Sequence, residues 1–244
     1  MIVVVWLRSL LFQFYFFGSV CIAAMLIFFC SLFPYPVRFW IARAWSRSML
    51  FMGKALCGLD YVFEGLENIP DEPSVIMIKH TTVFEAYAQM VIFPPQTWVV
   101  KRELQWIPFF GWGLAAMKPI AINRGAGHSA VKQVIDKGMA RLAEGIWITI
   151  FPEGTRVGRG ETKRYGVSGA ALAKAAQCPL VPVAHNAGDL WARRGLKKMP
   201  GLIRFCVGPP IMPGDRSPKE TNVLVQDWVE AKMREISSGY AAEK

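Results

Sequence analysis

Hydrophobic and polar positions divide this chain into three regimes. The first runs from Ser9 to Phe33, where no residue is charged. These roughly 25 residues, at about 1.5 Å per helical residue, would extend about 37 Å, enough to cross a hydrocarbon core. The apolar run continues past Ala23 and Ala24 instead of stopping at a cleavage signal, which favours a membrane segment over a removed signal peptide. Gly18 and Ser19 near its middle would permit a bend, so spanning and re-entrant geometries both stay open. The second regime begins after Pro34 and Pro36 and has a helical period. At about 100° per residue, Ile41, Trp45, Met49, Met52 and Leu56 share one face while Arg43, Arg47 and Lys54 lie opposite. Beside a membrane segment this reads as an interfacial helix whose cations place it on the cytoplasmic side. The alternative is an amphipathic helix docked on the protein's own core.

The third regime follows a polar stretch rich in Gly, Asn and Pro between Cys57 and Pro73, which sets a boundary between 1–57 and 58–244. A short strand is expected at 60–64. Beyond it, strand-like runs at 74–79, 97–101, 119–123, 145–151, 180–184 and 202–207 alternate with helix-like runs at 82–92, 128–143, 167–176 and 217–236. Alternation of this kind predicts an α/β fold with a mostly parallel central sheet flanked by helices. The last helix carries its own start signal, with Ser217 as N-cap, Pro218 in the first turn and Glu220 at the capping-box position.

Composition sharpens the first two regimes. The chain is 53% hydrophobic and 13% aromatic, above the usual share for a soluble enzyme, so part of its surface is expected to meet lipid. The net charge of +10 calls for a polyanionic partner, an anionic membrane face or nucleic acid. Much of the aromatic content lies in the N-terminal segment, which favours the membrane and argues against nucleic acid. Five scattered cysteines without a Cys-x-x-Cys pair read as reduced packing residues, neither a disulfide frame nor a metal site.

The candidate chemistry sits where apolar runs end. Ile146 to Ile150 is a strand-like run, and Phe151-Pro152-Glu153-Gly154-Thr155-Arg156 follows it. In open α/β sheets ligands bind at the C-terminal ends of strands, and the planar fork of Arg156 suits phosphate or carboxylate. A plain Pro-Glu-Gly turn with a solvated arginine is the competing reading. Asn123-Arg124 ends another such run and would bring a second guanidinium to the same edge. His80 follows Val75 to Ile78, with Glu85 five residues on. In a continuous helix the two would point roughly 140° apart, so they meet only if His80 lies in the loop and Glu85 in the first turn of the next helix. There the carboxylate could orient an imidazole acting as general base. Alternatively Glu85 bonds the amide of Thr82 as a capping box. His185-Asn186 ends the run 180–184, where a histidine is more often a satisfied loop residue than a catalyst. A serine-hydrolase elbow fails because Ala170 stands at the final glycine position of Gly166-Val167-Ser168-Gly169, and Ser168 is expected to cap the helix after it. No Gly-x4-Gly-Lys-Ser/Thr loop is present for a nucleotide.

Taken together, His80-x4-Glu85, Ile120-x-Ile122-Asn123-Arg124, Phe151-Pro-Glu-Gly-Thr-Arg156 and Val181-Pro-Val-Ala-His-Asn186 resemble, in this order, the four motif blocks of the glycerolipid acyltransferases. Lys101-Arg-Glu-Leu104 and Ile107-Pro-Phe-Phe-Gly-Trp-Gly113 resemble that family's connecting segment. The resemblance covers roughly 61–210. It implies transfer of a fatty acyl group from an acyl thioester, of coenzyme A or acyl carrier protein, to the free hydroxyl of 1-acyl-sn-glycerol 3-phosphate, with His80 as general base. No covalent acyl-enzyme, no metal and no cofactor beyond the thioester substrate is implied. Arg124 and Arg156 would hold the acceptor phosphate, with Glu153, Gly154 and Thr155 shaping its pocket, at the cytoplasmic face of a membrane. Two departures stand out: Glu85 where the family normally has Asp, and Lys79 where Asn is common. The first leaves open a different acceptor, such as a lyso-aminolipid, or a lipid-binding protein with weak turnover.

Overall fold

The computed structural model describes residues 2–123, 125 and 127–240, without the side chain of His128. Seven strands form one sheet: β1 (Leu59–Glu64), β2 (Val75–Ile78), β3 (Gln96–Lys101), β4 (Ile120–Ile122), β5 (Trp147–Ile150), β6 (Leu180–His185) and β7 (Gly201–Val207), in the order β1-β7-β6-β2-β5-β3-β4. The five from β6 to β4 run parallel, β7 is antiparallel to β6, and β1 is parallel to β7. The mostly parallel sheet expected from the alternating pattern is therefore present. Its central strands β2 and β5 are buried on both faces, which is why they read as continuous apolar runs.

Strand period decides what reaches the site. Along β2, Ile76 and Ile78 enter one core cluster while Val75 and Met77 enter the other. The first cluster lies under α1 (Ile2–Phe29), α2 (Tyr35–Cys57) and α3 (Phe84–Ile92); the second lies under α5 (His128–Ala143), α6 (Ser168–Ala176) and α8 (Pro218–Ile236). Because successive side chains alternate across a sheet, the chain leaving β2 sends Lys79 toward α8 and His80 toward α3. By the same parity Phe151 leaves β5, and His185 ends β6, on the α3 side. α8 begins with the capping box read from the sequence, in which Glu220 N donates to Ser217 Oγ and Ser217 N to the Glu220 carboxylate. Ser168 makes no cap bond and stands inside the first turn of α6, contrary to expectation.

α1 alone is long and apolar enough, among the described residues, to cross a membrane. It packs along the protein instead of projecting from it. Ser9, Phe12, Ala23, Ala24 and Ile27 are buried against the domain, while Leu7, Leu10, Phe14, Phe17 and Ile22 are exposed. The short helix α4 (Phe110–Ala116), absent from the sequence reading, meets α1 closely. A Cβ on Gly113 would stand 2.5 Å from Ala24 O, so only glycine allows this approach. The apolar face of α2 packs on the protein's own core, the alternative left open above, while Arg47 and Lys54 of its cationic face stay exposed. Phe39, Ala42, Ser46, Met49, Leu50 and Gly53 are buried, and Trp45 is half-buried against the same core. Arg43 donates to Met90 O at 2.9 Å and to Phe93 O from its other branch, satisfying carbonyls at the C-terminal end of α3 that the helix leaves unpaired. Lys54 pairs with Asp60 at 2.9 Å. Of the three cations on that face, Arg47 alone forms no ion pair or side-chain hydrogen bond among the described residues.

Candidate active site

The loop from Lys79 to Val83 turns the chain from β2 into α3, and Glu85 lies in the first turn of that helix. His80 Nδ1 is 2.8 Å from Glu85 Oε1. The same carboxylate accepts from Thr81 N at 2.9 Å, from Thr82 N at 2.9 Å and from Thr82 Oγ1 at 2.6 Å, while Phe84 N donates to Thr82 Oγ1. Both roles considered for Glu85 are thus filled at once, helix cap and histidine partner. Burial pushes the Glu85 carboxyl upward, but His185, His80 and Thr82 outweigh it and hold the group at about 2. An ionised Glu85 keeps the proton of neutral His80 on Nδ1. Nε2 then remains as the lone-pair nitrogen, with no hydrogen-bond partner among the described residues.

His80 is fixed on its other sides as well. Its ring stacks on Phe151, centroids 4.1 Å apart, and its carbonyl accepts from Val157 N at 2.8 Å. That bond ties the Phe-Pro-Glu-Gly-Thr-Arg loop to the histidine. His185 lies one strand away and is fully buried. Its Nε2 is 2.8 Å from Lys79 O, and Ala187 N donates to its Nδ1 at 3.3 Å, an arrangement that fits a neutral ring protonated at Nε2. Burial pushes its pKa down. It is a satisfied structural residue that reaches toward Glu85 Oε2 at 3.6 Å.

A cavity of about 540 Å³ opens beside His80. Its walls are apolar, with Phe16 and Val20 of α1, Trp45 of α2, Tyr87 and Met90 of α3, and Trp98 of β3. Its polar rim is His80, Arg156, Arg193 and Arg194. The sequence-predicted residues sort themselves against this cavity. His80 and Arg156 line it, and Glu85 stands behind His80. Gly154, at φ +69°, forms the left-handed turn that a side chain would strain, and Thr155 is half-buried beside it. Neither lines the cavity. Glu153, expected to help shape the acceptor pocket, turns its carboxylate inward to Lys79, with Oε1 3.6 Å from Nζ, and also accepts from His80 N at 3.4 Å. Arg124 lies outside the described residues.

Sequence reading missed the role of Lys79. Its side chain is fully buried, 2.7 Å from Glu230 Oε1 of α8, and it donates to Glu161 O at 3.2 Å. The signal was present in strand parity, since position 79 shares the face of Val75 and Met77. Arg193 and Arg194 were also missed, because nothing local distinguishes a cavity rim from a basic loop.

The family model described as Acyltransferase matches residues 60–186. The chain belongs to the acyltransferase family. It is 38% identical over 236 residues to the 1-acyl-sn-glycerol-3-phosphate acyltransferase of Pseudomonas aeruginosa, covering 95% of this chain and 92% of that one. It is 28% identical over 144 residues to the Saccharomyces cerevisiae enzyme of the same description, covering 57% of this chain and 46% of that one. The crystal structure of the 1-acyl-sn-glycerophosphate (LPA) acyltransferase PlsC from Thermotoga maritima superposes with a TM-score of 0.79 at 20% identity, over 94% of each chain. At that identity the likeness is one of fold. Within the matched region, His80 and Arg156 stand at the sheet edge where β2 and β5 end, with Glu85 behind His80.

Proposed function

We propose that this acyltransferase moves a fatty acyl group from an acyl thioester, of coenzyme A or acyl carrier protein, to the free hydroxyl of 1-acyl-sn-glycerol 3-phosphate, giving phosphatidic acid. The observation that carries the reading is the His80–Glu85 pair, 2.8 Å apart, on the rim of an apolar cavity that also holds Arg156. The hydroxyl donates its proton to His80 Nε2 as its oxygen attacks the thioester carbonyl. Glu85 stabilises the imidazolium that forms, the tetrahedral intermediate expels the thiolate, and the imidazolium returns the proton to the leaving sulfur. No acyl-enzyme arises. Arg156 takes the acceptor phosphate at the rim, the apolar walls take hydrocarbon, and Glu153 holds the loop from behind through Lys79 and the His80 amide. Positioned proton transfer of this kind is worth roughly 10²–10⁴-fold.

The lipid reaches the cavity from the α1 side. The outer face of α1 exposes Leu10, Phe14 and Phe17, and Trp106, Phe109 and Trp112 are exposed near its other end. A helix buried along one side against the protein cannot cross a bilayer without drawing the domain in with it. α1 therefore inserts sideways into one leaflet, with the cavity mouth at the interface. The relatives named for 1-acyl-sn-glycerol-3-phosphate support lysophosphatidate as acceptor. The test is thioester consumption by purified protein with a panel of lysophospholipids and lyso-aminolipids. Lysophosphatidate is expected to give the highest kcat/KM. Preference for a lyso-aminolipid would reassign the acceptor, and no consumption with any acceptor would overturn the reading.

A further inference from the structure

The turn after α7 (Ala187–Leu190) is a part of the cavity wall with no role so far. Trp191 and Lys198 pair across it as an antiparallel bridge. Inside the turn Trp191 Nε1 donates to Gly195 O at 3.0 Å and Gly195 N to Ala192 O at 2.9 Å. Its base is tied to α1: Lys198 N donates to Ser9 Oγ at 2.9 Å, Lys198 Nζ is 3.2 Å from Gln13 Oε1, and the ammonium lies 4.4 Å from the Trp191 ring centre. A turn braced in this way holds its tip in place, and the tip carries Arg193 and Arg194.

Both residues line the cavity that holds His80 and Arg156, and Arg156 Nη1 lies 3.5 Å from Arg193 O. Among the described residues none of these three arginines forms an ion pair, although Lys54, Lys79, Lys118, Arg141, Arg159, Arg204 and Lys232 all do. Three guanidiniums brought to one rim without a carboxylate repel one another and concentrate positive potential there, and a bound anion relieves that repulsion. Planar forks of this kind match phosphate oxygens.

We propose that Arg193 and Arg194 complete, with Arg156, a phosphate-binding site at the cavity rim, and that its ligand is a phosphate ester of a substrate. This rests on the acyl-transfer reading, in which two phosphates approach the rim. One is the monoester of the acceptor and the other is the phosphate at the end of the donor's pantetheine arm, a diphosphate in coenzyme A and a phosphodiester in acyl carrier protein.

The test is the double variant Arg193→Gln/Arg194→Gln, checked for an unchanged thermal melt, with KM measured for each substrate at saturation of the other. Loss of charge-assisted hydrogen bonds is expected to raise one KM by about tenfold or more with kcat largely kept. A rise for lysophosphatidate assigns the acceptor monoester; a rise for the thioester assigns the donor. Arg193→Lys/Arg194→Lys should recover part of the loss. If the glutamine pair does not fold, the single Arg194→Gln at the more exposed position gives the same readout. Two unchanged KM values overturn the proposal. So does weakened binding to anionic vesicles with both KM values unchanged in detergent micelles, which would assign the arginines to the lipid surface. A second arm is independent of turnover: inorganic phosphate should raise the melting temperature of the wild type and not of the glutamine variant. An inactive wild type that keeps this difference would refute the acyl-transfer reading and leave the phosphate site standing.

Discussion

Lys79 and His80 are consecutive residues, and the two carboxylate clusters they serve lie on opposite faces of one sheet. On the α3 face, Glu85 is fully buried and yet held at about 2, because His185, His80 and Thr82 outweigh the push of burial. On the α8 face Glu153 is nearly as buried. Burial pushes it up to about 7, with Lys79 at 3.6 Å pulling the other way, and its Oε2 has no hydrogen-bond partner among the described residues. Burial alone therefore does not set the charge of a carboxylate here. The charged and hydrogen-bonding groups around it do as well. The difference matches the roles proposed above: Glu85 would have to stay ionised to stabilise an imidazolium at His80, while the rear cluster joins β2, the Phe-Pro-Glu-Gly-Thr-Arg loop and α8.

The largest effect expected from breaking this comparison is on the cavity face. His80→Ala should lower kcat by roughly 10²–10⁴-fold with the melting temperature kept. Turnover within a few-fold of wild type would remove His80 from the chemistry. The rear face should respond the other way. Lys79→Met strands Glu153 and Glu230, and severing a buried pair costs about 3–5 kcal/mol. The loss should fall toward the lower end, because Glu153 readily takes up a proton. Urea unfolding measures it, and a variant as stable as wild type would show that the lysine is no brace.

How much of this was legible in the sequence depended on how local the signal was. Alternating apolar runs marked all seven strands to within a residue or two, and the Ser217–Glu220 box marked the start of α8. His80, Glu85 and Arg156 came from local spacing, and the helix start after β2 brought the first two together as the spacing required. The loop that carries Glu153 was legible but the direction of its side chain was not, because its partner Lys79 is distant in sequence and was left without a role. For α2 two readings stayed open for the same kind of reason. Periodicity shows that a helix has an apolar face but not what covers it, and here the cover is the protein's own core. Arg193 and Arg194 reach the rim through the bracing of Lys198 by Ser9 and Gln13, a contact across almost the whole chain that no local pattern encodes.

The subtlest way to sharpen the comparison is through pH, because the two carboxylates should give slopes of opposite sign. An unfolded glutamate titrates near 4.3. Glu85, depressed to about 2 in the fold, contributes stability that is complete above the unfolded value and fades as pH falls toward 2. Glu153, raised to about 7, keeps a proton that the unfolded chain has already released. Its contribution is complete below the unfolded value and fades as pH rises through 7. The stability of wild type relative to Glu85→Gln should therefore shrink between about pH 5 and pH 3, and relative to Glu153→Gln it should shrink between about pH 4.5 and pH 8, each by about 1–3 kcal/mol. Melting temperatures of the three proteins across that range are the measurement. Parallel curves for the two variants would mean that the faces of the sheet hold their carboxylates alike, and the contrast between His80 and Lys79 would then rest on geometry alone.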